Sequence, residues 1–309
     1  MAFDLQGHRG ARGLMPENTL PAFAKALSLG VSTLELDTGV AADGVVVVSH
    51  DRTLNPALTR DRAGAWLPGR GPALNSLSFR ELRGYDVGRM KPDSRYARRW
   101  SEQIAIDGTK IPSLADVFAL ARRPGNDLVR FNIETKIDPR KPSESPDPES
   151  FARALLNVVW EVNAADRVTI QSFDWRTLQA VQRLAPSVPT VYLTVQQYWL
   201  DNIRKGAYGP SPWTAGFDIE DHGGSVPRLV KAAGGAVWSP YHKEVDAVQL
   251  REARSLGLKV VVWTVNDSAR METLIDLGVD GIITDYPDRL RTVMARRGMA
   301  LPRQTPIKP

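Results

Sequence analysis

The chain has 309 residues, 42% of them hydrophobic and 24% charged, the composition of an ordinary globular protein with room for a sizeable core. It contains no cysteine, which excludes disulfides and thiolate metal sites and leaves carboxylates and imidazoles as the strong metal ligands. The formal charge of +5 favours an anionic ligand, but Lys and Arg are scattered along the chain, so nucleic acid is not the expected partner. No apolar run is long enough to span a bilayer. The first residues, MAFDLQGH, read as the approach to a strand. The expected compartment is the cytoplasm for the chain as it stands, or the periplasm or exterior if a leader has been trimmed.

In chain order, strands are expected at Phe3–Gly7, Thr33–Asp37, Leu128–Glu134, Arg167–Gln171, Thr190–Thr194, Ala236–Ser239, Lys259–Thr264 and Gly281–Asp285. Between them lie apolar residues at three- and four-residue spacing, which predict helices over Leu20–Leu29, Leu114–Arg122, Phe151–Val162, Trp175–Leu184, Ala247–Leu256 and Ala269–Leu277. Several of these runs stop at a glycine (Gly30, Gly257, Gly278), where a left-handed cap belongs. Alternating strands and helices imply a parallel sheet, and eight strand candidates predict an α/β (β/α)8 TIM barrel over residues 1–300. The rhythm breaks between His50 and Ile111, in a stretch rich in Gly, Pro, Arg and Asp. Because Trp66, Tyr85, Tyr96 and Trp100 are costly to leave in water, residues 51–112 are expected to form a small compact insertion at the barrel mouth. Gly206–Gly224, with Tyr208, Trp213 and Phe217, is a second candidate wall of the mouth. Residues 301–309 read as a loose Pro-rich tail.

Polar residues interrupt the apolar strands at their C-terminal ends, the face where a barrel gathers its functional groups. Glu35 and Asp37 are two apart on one strand and point the same way, and Glu134 ends a neighbouring strand. Three carboxylates pressed together repel, and a divalent cation relieves that repulsion; all-oxygen ligation suits Mg²⁺ or Ca²⁺, with Mn²⁺ as a further option. The competing reading pairs each carboxylate with its own Arg or Lys. His8 and His50 are candidates for a general acid and a general base, against the alternative of packed structural histidines. His222 and His242 lie in looser contexts and read as structural or peripheral. Arg9 and Lys136 adjoin these groups and suit a phosphate, Arg through paired hydrogen bonds and Lys as a point charge, although ion pairs with Glu17, Glu35 or Glu134 compete.

The runs His8-Arg9-Gly10, Pro16-Glu17-Asn18-Thr19, Glu35-Leu36-Asp37, Asp43-Gly44 with His50-Asp51, Ile133-Glu134-Thr135-Lys136, Gln171-Ser172-Phe173, Trp263-Thr264-Val265-Asn266 and Asp280 to Pro287 resemble those of the glycerophosphodiester phosphodiesterases. The resemblance extends from His8 to about Leu290. It implies a TIM barrel that hydrolyses glycerophosphodiesters to sn-glycerol 3-phosphate and an alcohol. It also implies a divalent cation at Glu35, Asp37 and Glu134, proton transfer by His8 and His50, and phosphate binding by Arg9 and Lys136. Gln171, Phe173 and Trp263 are expected to line the substrate pocket, the two aromatic rings facing a choline or equally a plain glycerol. The rival readings are a phospholipase D-like enzyme acting on intact phospholipid or lysophospholipid, and a phosphate-binding barrel without activity. The expected partner is a small molecule, and the oligomeric state is left open.

Overall fold

The computed structural model describes residues 2–123 and 125–309. Its strands are β1 (Asp4–Gly7), β2 (Thr33–Val40), β3 (Val46–Val48), β4 (Arg130–Thr135), β5 (Val168–Ser172), β6 (Thr190–Thr194), β7 (Gln196–Gln197), β8 (Leu200–Asp201), β9 (Val237–Pro240), β10 (Lys259–Val262) and β11 (Gly281–Thr284). The helices are α1 (Leu20–Leu29), α2 (Phe79–Leu82), α3 (Arg95–Arg99), α4 (Leu114–Arg122), α5 (Pro148–Glu161), α6 (Trp175–Leu184), α7 (Val226–Ala232), α8 (Ala247–Ser255), α9 (Ser268–Leu277) and α10 (Pro287–Arg296). Among the described residues eight parallel strands run in the order β1-β2-β4-β5-β6-β9-β10-β11, and β1 pairs with both β2 and β11, which closes the barrel. The expected (β/α)8 architecture is therefore the observed one.

Helices and strands pack through an apolar layer that includes Phe23, Phe131, Phe151, Trp175, Tyr192 and Trp238, all fully buried. The inside of the barrel is divided. One half is apolar, with Val191, Val237, Val261 and Ile283 meeting beneath Trp263. The other half is a polar chain: Asn132 donates to Gln6 Oε1 (3.0 Å) and Gln171 Oε1 (2.8 Å), and Gln171 donates in turn to Glu35 Oε1 (2.6 Å). Buried polar groups need such partners, and this chain fixes the side chain of Glu35 from below.

Three strands were not expected: β3 and the short β7–β8 hairpin. Strand β2 runs past Asp37 to Val40, turns at Asp43-Gly44, where Gly44 takes φ +81, and returns as β3, antiparallel to the end of β2. Ser49 N then donates to Asp37 O (3.0 Å), so the hairpin delivers His50 to the barrel mouth beside Asp37. The insertion that follows has its own small core of Ala41, Val47, Leu54, Leu74, Leu82 and Ile111, while Trp100, at 3% exposure, is buried against Tyr96 and Tyr286.

The C-terminal segment departs from expectation. Leu301–Pro309 has no regular structure, yet Thr305 is buried and its N–H donates to Leu27 O (2.9 Å) in the last turn of α1, a carbonyl that also accepts from the Gly30 cap (3.1 Å). Asn126 donates to Thr305 Oγ1 (2.9 Å), and Arg291 grips Pro302 O (2.7 Å) and Gly30 O (3.0 Å). The segment is a strap rather than a loose tail. Deleting residues 301–309 is expected to lower stability by about 2 kcal/mol, because the buried Asn126 amide and the Arg291 guanidinium each lose a hydrogen-bond partner. Urea unfolding of the two forms checks this; coincident midpoints would return the segment to the status of a free tail.

Candidate active site

The C-terminal ends of the strands open into a cleft of about 910 Å³ lined by His8, Arg9, Glu35, His50, Glu134, Lys136, Gln171, Phe173 and Trp263, among others. Glu35, Asp37 and Glu134 each offer a carboxylate oxygen within 4.8 Å of the other two, and all three are buried. The register explains the meeting: Asp37 lies opposite Glu134 on β4, and Glu35 shares its face two residues earlier on β2. Arg9 N donates to Glu35 Oε2 (2.8 Å), a contact made from a left-handed backbone at Arg9 (φ +51) that a non-glycine residue rarely adopts. Gly10 follows at φ +84 with its Cα packed on α1, where a Cβ would come within 2.7 Å of the Ala22 backbone. Asn18 holds Asp37 from the other side, donating to Oδ2 (2.8 Å) and accepting from its N–H (3.2 Å).

Both cations beside the cluster are paired. Arg9 Nη1 contacts Glu17 Oε1 at 2.7 Å and its Nε lies 3.2 Å from Asp37 Oδ2, while Lys136 Nζ is 2.7 Å from Glu134 Oε1 and 3.6 Å from Asp37 Oδ1. The tyrosine hydroxyl of Tyr96, brought in by α3 of the insertion, donates to Glu17, so the insertion fixes the carboxylate that fixes Arg9. Even so, Asp37 Oδ1 is buried without a hydrogen-bond partner. Three carboxylates and one orphaned oxygen form the kind of all-oxygen site that could hold a divalent cation.

His8 is part of a relay that the sequence reading did not foresee. Its Nδ1 lies 2.7 Å from Asp285 Oδ1, and Arg12 Nε donates to the same oxygen (2.7 Å). Asn266 Nδ2 donates to Asp285 Oδ2 (2.6 Å), and Arg12 stacks on the Trp100 ring at 4.3 Å. Arg12 Nη2 also approaches His8 Nδ1 (3.1 Å). An ionised Asp285 only accepts, so Nδ1 carries the hydrogen and the Arg12 approach is a contact between donors. The lone pair is then on Nε2, which faces Glu35 Oε2 at 3.9 Å. His50 repeats the pattern more openly, with Nδ1 2.9 Å from Asp51 Oδ1 and Asp51 held by Asn55 (2.6 Å).

Electrostatics follow from this crowding. Burial, reinforced by Arg12, lowers the His8 pKa to about 3 against the pull of Asp285. His50 is also lowered, by burial and then by Arg9 and Lys136. Burial drives Glu35 well upward, with Asp37 adding to it, and raises Glu134 to about 7 despite Lys136. Burial opposes ionisation of Asp37 too, but Arg9, His50 and Lys136 outweigh it and hold the group well below the usual carboxylate range. The site is thus built to keep both imidazoles neutral and one carboxylate firmly ionised, with two more ready to ionise when a cation arrives.

The family model described as the glycerophosphoryl diester phosphodiesterase family matches residues 8–289. The chain belongs to this family. It is 29% identical over 294 residues to a glycerophosphodiester phosphodiesterase of Caldanaerobacter subterraneus, an alignment covering 94% of this chain and 97% of the relative. A crystal structure of a Silicibacter pomeroyi protein, assigned there as a glycerophosphoryl diester phosphodiesterase, superposes with a TM-score of 0.85 at 35% identity, covering 97% of this chain and 95% of the other. An Oleispira antarctica phosphodiesterase crystallised with sn-glycerol-3-phosphate shares the fold at a TM-score of 0.68 and 20% identity, with 94% and 96% covered. The chain is accordingly a phosphodiester hydrolase of this family, and membership agrees with the TIM barrel found above.

His8, Arg9, Glu35, Asp37, His50, Glu134, Lys136, Gln171, Phe173 and Trp263 all lie at this cleft or its floor. Phe173 and Trp263 meet edge to face at 5.3 Å on one wall, and Gln171 serves as the support of Glu35. Arg12 was missed as a site residue, whereas Asp285 (a polar strand end on the cleft face), Asn18 (part of a motif) and Glu17 (a competing partner of Arg9) were noted but given no role in the site. Asp285 had a readable signal, since it ends the last strand of a barrel and the last strand must lie beside the first. Arg12 had none. His242 lines the outer cleft, whereas His222 sits in a 3-10 turn outside it.

Proposed function

We propose that the chain hydrolyses glycerophosphodiesters to sn-glycerol 3-phosphate and an alcohol, with a divalent cation held by Glu35, Asp37 and Glu134 and with His8 and His50 as the proton-transfer pair. The observation that carries this reading is the His8 imidazole, oriented by Asp285 through Nδ1, with its Nε2 beside the three-carboxylate cluster. When bound, the cation (Mg²⁺, Ca²⁺ or Mn²⁺) supplies positive charge against the phosphate oxygens. Arg9 and Lys136 bind the same phosphate and orient it. The glycerol 2-hydroxyl, already tethered to the phosphorus, attacks it with a large proximity advantage. One histidine takes the hydroxyl proton, the other gives a proton to the departing alkoxide, and a P–O bond forms as another breaks. Water then opens the cyclic phosphate with the two roles exchanged. Arrival of the anionic diester between the imidazoles raises the proton affinity of both, which suits the one that must act as acid.

The direct test is release of sn-glycerol 3-phosphate from glycerophosphoglycerol or glycerophosphocholine by chelator-treated protein with each cation restored in turn. Activity is expected to vanish with chelator and return with metal. No product under any cation would overturn the reading, and full activity in chelator would remove the cation from it. A lysophospholipid is the second reading, favoured by Tyr198 and half-exposed Trp199 at the cleft mouth, which could meet an acyl chain; adding lysophosphatidylcholine to the same assay separates the two.

Tyr96→Phe removes the hydroxyl that fixes Glu17 and, through it, Arg9. Its KM is expected to rise about threefold to tenfold with kcat little changed, because only part of the about 1.5–3 kcal/mol of a hydrogen bond to a charged group is passed on through Glu17 to Arg9. An unchanged KM would detach the insertion from phosphate binding.

A further inference from the structure

The cleft is much longer than its phosphate end. At about 910 Å³ it matches sites that enclose a drug-sized ligand, so the space beyond Phe173 is available to the alcohol of the diester. An aromatic ladder leads there. Phe173 lies 5.9 Å from Lys136 Nζ and 5.3 Å from Trp263; Trp263 is 5.5 Å from Tyr241 and 6.3 Å from Trp199; Tyr241 is 4.9 Å from the His242 ring. The ladder is held rigidly, Trp263 Nε1 donating to Ser239 O (2.9 Å) and His242 N to Trp263 O (2.8 Å).

At the far end the charge balance changes. Around the phosphate, Arg9, Arg12 and Lys136 each have a carboxylate partner, as do Arg52 and Arg140 on the neighbouring wall. Lys243 and Arg270 line the outer cleft with no carboxylate within 4.0 Å among the described residues; Arg99, on the opposite side, also lacks one but is stacked on the Trp100 ring at 5.0 Å. Asp267, the carboxylate nearest in sequence to Arg270, caps α9 by accepting from Arg270 N (2.8 Å), and Glu244 turns to the β7–β8 hairpin. Arg270 reaches back to His242, donating to its carbonyl and, at 3.4 Å, to its Nδ1, which leaves His242 Nε2 as a hydrogen-bond donor.

Resting on the diesterase reading above, we propose that this outer half of the cleft is the subsite for the alcohol, and that His242, Lys243 and Arg270 select an alcohol carrying its own phosphate or carboxylate. The aromatic faces cover the carbon skeleton, and two cations with one donor meet the anion. A quaternary ammonium finds the same rings, which favour it, but also two unpaired cations, which repel it.

The test reads binding and turnover separately, with two probes: glycerophosphoglycerol bearing a terminal phosphate, and glycerophosphocholine. Calorimetry on the wild-type protein in chelator measures binding, and product release with cation measures kcat/KM. Lys243→Gln alters an exposed side chain and keeps the fold; Arg270→Gln and the double substitution follow. In the double variant, affinity and kcat/KM for the phosphate-bearing diester are expected to fall about tenfold or more, while those for glycerophosphocholine hold or rise. Lys243→Gln alone moves the same way by a smaller factor. Equal losses for both probes, or tighter wild-type binding of glycerophosphocholine, overturn the subsite. Charge-selective binding without hydrolysis of either probe supports the subsite and overturns the diesterase reading, whereas hydrolysis of both with no dependence on these two cations does the reverse.

Discussion

Asp285→Asn is expected to lower kcat by about 10³-fold or more, comparable to the loss when the acid of a catalytic triad becomes an amide. All of the neighbours of Asp285 are donors: His8 Nδ1, Arg12 Nε and Nη2, and Asn266 Nδ2. An amide has one accepting oxygen and one donating nitrogen, so at least one of these neighbours faces an N–H. If His8 yields, its Nδ1 becomes the acceptor, its hydrogen moves to Nε2, and the nitrogen facing Glu35 loses its lone pair. If Arg12 yields, a buried guanidinium loses its closest carboxylate partner and keeps Glu17 only at 3.9 Å, which costs about 3 kcal/mol. Both effects predict a less stable, inactive protein with substrate affinity largely kept, because Arg9 and Lys136 are untouched. Arg12→Met separates the terms, since it loses the cation but leaves His8 on Asp285. Steady-state kinetics with urea unfolding in parallel check this; an Asp285→Asn kcat within tenfold of wild type would dismiss the relay.

The same imidazole makes stability sensitive to acid. Buried His8 has its pKa lowered to about 3, whereas the unfolded chain takes that proton near 6.5. The unfolded state therefore binds more protons in this window, and the contribution of His8 is complete above about 6.5 and is lost progressively as pH falls toward 3.

The barrel was legible because strand and helix periods alternate along most of the chain, and a parallel sheet with covering helices has few other solutions. Glu35, Asp37 and Glu134 were legible as a group through strand geometry alone, and the register of β2 on β4 is what that geometry requires. Strand β3 was hidden because Val46–Val48 is too short to show a period, and only pairing with the overrun of β2 makes it a strand. That hairpin is also the reason His50 reaches the site, so the position of His50 followed from the resemblance more than from pattern. The partnership of His8 with Asp285 spans nearly the whole chain and depends on ring closure, which no local period records. Residues 301–309 read as loose for a related reason: a Pro-rich ending looks free until the last turn of α1 is there to receive Thr305.

Glu134→Gln is expected to abolish activity and yet stabilise the cation-free protein. Without a cation, Glu134 is pressed against Asp37 in a buried place, and its pKa rises to about 7 from 4.5. The folded state then holds a proton that the unfolded state releases, so wild-type stability falls as pH rises from about 4.5 through 7, by on the order of 3 kcal/mol from this group. Glutamine removes that liability while still accepting from Lys136. The variant should therefore show a higher Tm than wild type at pH 8 in chelator and little difference at pH 5. Added Mg²⁺ or Ca²⁺ reverses the order, because the cation requires the ionised carboxylate: wild-type Tm should climb with metal, and climb further at pH 8 than at pH 6, while the variant stays flat. Activity and stability are thus opposed at one oxygen cluster, as expected where a fold keeps repelling groups together for a ligand. A cation-free Glu134→Gln protein no more stable than wild type at pH 8, or a metal response equal in both, would mean that Lys136 and Arg9 already balance the cluster and that no cation is needed to complete it.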